Sequence, residues 1–317
     1  MTKQHEQTAY VFGPVPSRRL GRSLGVDLVP YKHCPYDCLY CQIGRTTHLA
    51  VDRDEWVPLK NVVEQIRNRL DAQPDYITLS GSGEPTLYSP IGELIAAIKA
   101  ITDVPVAVLT NGSLLQNAQV RNALLQADLV APSLDAGSED AYQAVNRPHE
   151  SLSFAAMLEG LIAFRSEYTG QYWLEVLLLK GINDSDPEVE RIGQCIGRIK
   201  PDRVQLNTVT RPPAESIAQP VPIDRLAQIA ETLATHVDHV EIIADYKRPD
   251  HPGQLTAGAG DVLAMLARRP CSLDDIAAGL AIHRNEAVKY IQELTERGQI
   301  EPEVQNKTTY YKPNQST

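Results

Sequence analysis

Six short runs of apolar and β-branched residues recur along the chain, each followed by a stretch whose apolar residues repeat at helical spacing. The strand-like runs are Leu24–Val29, Tyr76–Ser80, Val104–Leu109, Leu129–Leu134, Tyr172–Leu179 and Val204–Val209. The run at 172–179 is almost unbroken in its apolarity, which suits a parallel strand buried on both faces. Helical patterns cover Leu59–Leu70, Ile91–Ile101, Leu114–Gln126, Phe154–Phe164, Glu188–Ile199 and Asp224–Thr235. Ser153 is placed to cap the fourth of these. Strand and helix in regular alternation predict an α/β chain with a parallel sheet, open or curved into a barrel. Ligands gather at the C-terminal ends of such strands. Gly81-Ser82-Gly83-Glu84-Pro85, Thr110-Asn111-Gly112 and Ser133-Leu134-Asp135 all fall at those ends.

A Pro- and Gly-rich stretch over 248–260 reads as a linker. It divides the 317 residues into a large domain, 1–247, and a small one, 261–317. The small domain shows helical patterns at Asp261–Ala267, Leu273–Leu280 and Arg284–Arg297, then strand-like pieces at Gln299–Val304 and Thr308–Lys312. Ser272 and Asp275 are spaced as a capping box, and Gly298 stands just past a helix end. Three helices and a hairpin in this order resemble a winged helix-turn-helix. Its second-to-third-helix unit would place His283, Arg284, Asn285 and Lys289 toward a groove, interleaved with Glu286, Glu293 and Glu296.

No apolar run reaches the roughly 18–20 residues of a membrane span, and Met1–Gln7 has no apolar signal region. A cytoplasmic location is therefore expected. The net charge of −10 is unevenly spread. Residues 1–50 are locally basic, the small domain is close to neutral, and the acid lies between them. Nucleic-acid binding through the small domain is therefore open, as is recognition of a protein or peptide, or packing against the large domain. Arg18, Arg19 and Arg22 could together bind a phosphate or carboxylate, or form a solvated basic run.

Of five cysteines, Cys34, Cys38 and Cys41 fall within eight residues and have the spacing C-x3-C-x2-C. An odd, clustered set favours a metal site over a disulfide framework. Three thiolates on one loop can hold three corners of a [4Fe–4S] cluster and leave the fourth iron open. The alternatives are a zinc site completed by His33 or His48, and three structural cysteines.

C-x3-C-x-aromatic-C after the first strand of a (β/α) domain resembles the radical S-adenosylmethionine (SAM) superfamily over about residues 10–250. The resemblance implies a partial TIM-like (β/α)6 barrel, with the open iron chelating the amino and carboxylate groups of SAM. The reduced cluster would then cleave SAM to a 5′-deoxyadenosyl radical that abstracts hydrogen from a substrate. Gly81-Ser82-Gly83-Glu84-Pro85 is similar to that superfamily's Gly-Gly-Glu-Pro element, with Ser82 in place of a glycine. On that likeness Gly83 and Glu84 receive the SAM ammonium, and Tyr40 packs near the adenine. Ser133 and Asp135, on one face by strand alternation, bind ribose hydroxyls or the carboxylate, and Asn111 lines the same rim. Turn formation and capping explain these segments as well. Glu175 and Asn207 could face the cavity from later strands.

The segment from Phe12 to Gly21, with Ser23–Asp27, is similar to radical SAM proteins related to the wyosine-type tRNA-modifying branch. Only Cys195 and Cys271 remain as further thiols, so a single cluster is expected, which weakens the wyosine-synthase reading. No preceding domain is expected to carry cobalamin. The resemblance implies an oxidoreductase-type enzyme served by a one-electron reductant such as flavodoxin or ferredoxin. Its substrate could be an RNA base, a protein activated as a glycyl radical, or a small molecule. A redox-sensing winged-helix regulator without SAM turnover is the competing reading from another class.

Overall fold

The computed structural model describes residues 9–17, 19–244, 258–280, 282–305 and 308–314. Arg18, most of the expected linker and the Asn306-Lys307 tip lie outside the described residues. In chain order the strands of the large domain are β1 (Val11–Ser17), β2 (Gly21–Val26), β3 (His33–Cys34), β4 (His48–Leu49), β5 (Tyr76–Leu79), β6 (Val106–Thr110), β7 (Leu129–Pro132), β8 (Gln171–Leu178), β9 (Arg203–Thr208) and β10 (Val240–Ile242). Its helices are α1 (Leu59–Arg67), α2 (Ile91–Lys99), α3 (Ala118–Leu124), α4 (Glu139–Asn146), α5 (Phe154–Glu167), α6 (Asp186–Ile199) and α7 (Ile223–Leu233).

Eight of these strands form one sheet in the order β1-β2-β5-β6-β7-β8-β9-β10. From β2 to β10 every neighbour is parallel. Each new strand is laid beside the previous one, so the sheet winds in one direction as a partial barrel does. β1 pairs antiparallel with β2 at the edge. Four strands of the large domain were not legible in the sequence: β1, β10 and the two-residue β3 and β4. β1 carries Pro14 and Pro16, which deny it ladder donors and confine it to an edge. β10 is only three residues long. Helix α4 was missed as well; Ser138 caps it by accepting from the Ala141 amide.

The main core lies between the convex face of the sheet and the helices. Tyr172, Leu174, Val176 and Leu178 of β8 enter it, together with Phe164 of α5 and Ile192 and Ile196 of α6. The alternate residues of β8 point the other way: Trp173 joins Leu20, Ala107, Leu129 and Ala131 in a separate apolar floor inside the barrel. Above that floor the concave face is polar. Arg19, placed by the turn between β1 and β2, pairs with Glu175 at 2.7 Å and donates to Gln205 at 3.1 Å. Arg19 thus turns into the barrel and is neutralised there, while the Arg22 amide is held by Asp75. The expected shared anion site of Arg18, Arg19 and Arg22 is not assembled by the two described members of that set.

The C-terminal module comprises α8 (Ala259–Leu266), β11 (Cys271–Ser272), α9 (Leu273–Gly279), α10 (Arg284–Glu296), β12 (Ile300–Gln305) and β13 (Thr308–Pro313). Its three strands pair in the order β11-β13-β12, all antiparallel. The capping box at α9 is present: the Asp275 amide donates to Ser272 Oγ and the Ser272 amide to Asp275 Oδ2. The module's core includes Val262, Leu266, Ile276, Ile291 and Ile300, and it takes in Val15 of β1. The prolines of β1 prevent a further strand from pairing there, and the edge is covered by helices instead. Among the described residues no helix is long and apolar enough to cross a membrane.

Phe164 is fully buried, stacked on Tyr168 at 4.8 Å and tilted against Tyr172 at 5.8 Å. Phe164→Ala is expected to destabilise the protein by about 3–5 kcal/mol, read as a lower urea midpoint with unchanged slope.

Candidate cluster and cofactor site

The three clustered cysteines follow β2 on a loop that is tied to the strand ends by backbone bonds. The Lys32 amide donates to the Ser82 carbonyl at 2.8 Å, and the Glu84 amide to the His33 carbonyl at 3.0 Å. β3 and β4 form a short parallel pair that frames Cys34, with the His33 and His48 rings stacked at 4.5 Å. On the far side, the Asp37 and Leu39 amides donate to the Asn146 and Val145 carbonyls, at 3.0 Å each. The loop is therefore held between the end of β5 and the end of α4.

Each thiol meets a side-chain nitrogen donor. Asn111 Nδ2 lies 3.4 Å from Cys34 Sγ, Asn146 Nδ2 3.5 Å from Cys38 Sγ, and Lys32 Nζ 3.1 Å from Cys41 Sγ. Lys32 is only 3% exposed. A buried ammonium requires an anion, and the sulfur is the partner it meets here. Burial, then the Glu84 carboxylate, pushes the Cys34 thiol up to about 12. Burial, then Cys34 and Asp135, pushes Cys38 well above its ordinary value. Such thiols become ligands when a cationic centre replaces their protons. Three mutually repelling sulfurs, each with its own donor, form a set that fits a thiolate-held iron–sulfur cluster. Among the described residues no group of three or more His, Cys, Asp and Glu is arranged to hold a metal ion.

The Gly-rich segment lies against this loop. A Cβ on Gly83 would overlap the His33 carbonyl oxygen and crowd Val29, so only glycine fits this approach. Ser82, in the place of a glycine, is held by Asp27, which accepts from its amide at 3.1 Å and from its hydroxyl at 2.8 Å. Glu84 is 2% exposed. Its Oε1 accepts from the Thr86 amide at 3.0 Å and from the Thr86 and Thr110 hydroxyls, both at 2.6 Å. Its Oε2 accepts from the Asn111 amide at 2.7 Å. The carboxylate therefore caps the short helical turn Pro85–Leu87 and ties the end of β5 to the end of β6. The sequence pointed this side chain at an ammonium, whereas four protein donors already occupy it.

Asp135 is turned inward in the same way. Its Oδ1 accepts from the Leu177 amide at 2.9 Å, and its Oδ2 accepts from Asn146 Nδ2 at 2.9 Å and from the Tyr40 hydroxyl. Burial raises its carboxyl to about 6, against those stabilising bonds. Tyr40, Asp135 and Asn146 thus form one network behind Cys38. Ser133 is half-buried and bridges to Glu175 across β7 and β8. Glu175 and Asn207, joined at 2.8 Å, line the concave face with Arg19. Asn111 combines two duties, since its amide serves Glu84 and its side chain serves Cys34.

Sequence reasoning missed Lys32, Asn146 and Asp27. Lys32 carried a signal, a lysine two residues before the first ligand, but its burial is a tertiary fact. Asn146 ends the helix that was not foreseen.

The radical SAM superfamily model matches residues 28–191, from just after β2 into the first turns of α6. A protein named GTPase Obg from Brachyspira hyodysenteriae is 37% identical over 318 residues, which cover 99% of this chain and 46% of that protein. The chain thus spans about half the length of that relative. A UPF0026 protein of Helicobacter pylori is 36% identical over 304 residues, covering 93% of this chain and 94% of its own. Among solved structures, a radical SAM methyltransferase from Sphaerobacter thermophilus is similar in fold, with TM-score 0.52 and 18% identity over 69% of this chain and 66% of that one. Members of the superfamily use a [4Fe–4S] cluster and SAM. By its matched barrel, its near full-length likeness to the UPF0026 protein and the three-thiol loop at the strand ends, the chain belongs to the radical SAM superfamily.

Proposed function

We propose that the chain is a single-cluster radical SAM enzyme in which Cys34, Cys38 and Cys41 ligate three irons and the fourth takes SAM. When bound and reduced, the cluster supplies one electron to the SAM sulfonium, yielding methionine and a 5′-deoxyadenosyl radical for hydrogen abstraction. The observation that carries this reading is a side-chain N–H donor at each of the three thiols, with the buried Lys32 ammonium on Cys41. Lys32 offsets negative charge on the sulfurs. Asn111 and Asn146 orient Cys34 and Cys38, and Asp135 and Tyr40 keep Asn146 in place. The backbone of Gly83 and Glu84, locked by the Glu84 carboxylate, is the surface offered to the SAM amino acid moiety. Ser133, Glu175 and Asn207 on the concave face are the groups offered to the rest of SAM or to substrate.

The C-terminal module has the element order of a winged helix, and we assign it that fold. Its cations are mostly committed: Arg284 to Asp274 at 2.8 Å, Arg297 to Glu293 at 2.8 Å, and Lys312 to Glu303 at 2.9 Å and Glu301 at 3.4 Å. Paired cations release few counterions from a phosphate backbone, so protein recognition or packing is the better-supported role. Substrate class and the one-electron donor are left to experiment. The name GTPase Obg carries no activity to this chain, whose sequence lacks a G-x4-G-K-[ST] phosphate loop.

The direct test is anaerobic reconstitution followed by dithionite and SAM. Release of 5′-deoxyadenosine with about four irons per chain is expected; iron far below that and no release would sink the proposal. Cys38→Ala should lose both. Lys32→Met should keep the cluster but lower its potential by about 59 mV, a tenfold change in the one-electron reduction equilibrium, and slow release accordingly. Gly83→Ala must push the loop away from His33, so SAM affinity should fall about tenfold or more in a binding titration.

A further inference from the structure

One side chain of the C-terminal module reaches the cofactor loop. Arg268 follows α8, and its guanidinium lies over the Phe12 ring at 4.5 Å. Its Nη1 donates to the Ala264 carbonyl at 2.6 Å and its Nη2 to the Ala9 carbonyl at 3.0 Å. Its Nε faces Asp27 Oδ2 at 3.8 Å, with both side chains only 13% exposed. That Nε is buried and makes no hydrogen bond in the structure. Asp27 in turn accepts from the Ser82 amide and hydroxyl, and its carboxylate occupies the space where a Cβ of Gly81 would stand. Ser82 passes the restraint on, since its carbonyl accepts from the Lys32 amide and Lys32 Nζ donates to Cys41.

We propose that Arg268 is a positioning residue for SAM, supplied by the C-terminal module and acting through Asp27 on the Gly81–Glu84 segment. The inference rests on the reading of that segment as the SAM-binding stretch. A buried carboxylate without a countercharge protonates or turns toward water. Asp27 would then no longer offer two acceptor oxygens to Ser82, and the segment would lose its side-chain tether. A glycine at 82 would keep the amide bond to Asp27 and lose the hydroxyl one, so Ser82 doubles the hold of Asp27 on the loop.

The test uses the full chain in two states. In the cluster-free protein, amide exchange over residues 80–84 is expected to rise about tenfold in Arg268→Met, while exchange over β8 stays unchanged. In the reconstituted enzyme, the same variant should raise KM for SAM about tenfold with kcat, iron content and cluster absorbance unchanged. Arg268→Lys, which retains the charge, should recover most of both effects. Asp27→Asn should reproduce them, and Asp27→Asn/Arg268→Met should be no worse than Asp27→Asn alone. Where Arg268→Met fails to fold, Arg268→Lys and Asp27→Asn read the same two quantities. Unchanged exchange and KM in a less stable variant, or effects that multiply in the double variant, would overturn the proposal and leave Arg268 as module packing. If wild type releases no 5′-deoxyadenosine while the exchange coupling is present, the proposed function fails and the coupling stands.

Discussion

The Glu84 carboxylate is the fastening on which the site depends. It accepts four hydrogen bonds from Thr86, Thr110 and Asn111, and the Glu84 amide donates to His33. One buried residue thus joins the ends of β5 and β6 to the cysteine loop. Burial opposes its charge, so the four donors are what allow a carboxylate at 2% exposure to serve as a structural acceptor. Asn111 stands at the end of this chain of bonds and presents its side chain to Cys34. The geometry around the first ligand is therefore inherited from the strand ends.

Electrostatics on the other side of the loop follow the same logic. Asp135 gathers Tyr40, Asn146 and the Leu177 amide, and Asn146 reaches Cys38. Lys32 brings a full positive charge to Cys41. Three sulfurs share donors that differ in kind, two amides and one ammonium, and the charged one sits on the last ligand of the loop. Within the barrel, Arg19 and Glu175 neutralise each other above the apolar floor, so the polar concave face carries no free charge of either sign from that pair.

The C-terminal module makes direct contacts with the barrel. Val15 enters its core, the Tyr310 hydroxyl donates to the Thr210 carbonyl, and Arg211 lies 3.7 Å from Asp275. These contacts cluster at the β1 edge and near the cysteine loop, where Arg211 also reaches Gln42. A module seated there covers an unpaired strand edge and forms part of the wall around the strand ends.

Periodicity and spacing alone carried the alternating α/β order, the clustering of three cysteines on one loop and the Gly-rich turn, because these are local features written in adjacent residues. The positions of helices α5 and α6 and of strands β5 and β8 were legible for the same reason. β1, β10 and α4 were not, since two prolines, a three-residue length and a weak apolar pattern mask them. The resemblance offered Glu84 and Asp135 to the polar groups of SAM and Tyr40 to its adenine. The protein partners that each has, Thr86, Thr110 and Asn111 for Glu84, and Tyr40, Asn146 and the Leu177 amide for Asp135, were not legible, because they come from other segments of the fold. Lys32, Asn146 and Arg268 acquire their partners for a tertiary reason alone: burial removes water as a partner, so each finds its anion, sulfur or carbonyl among other residues of the fold.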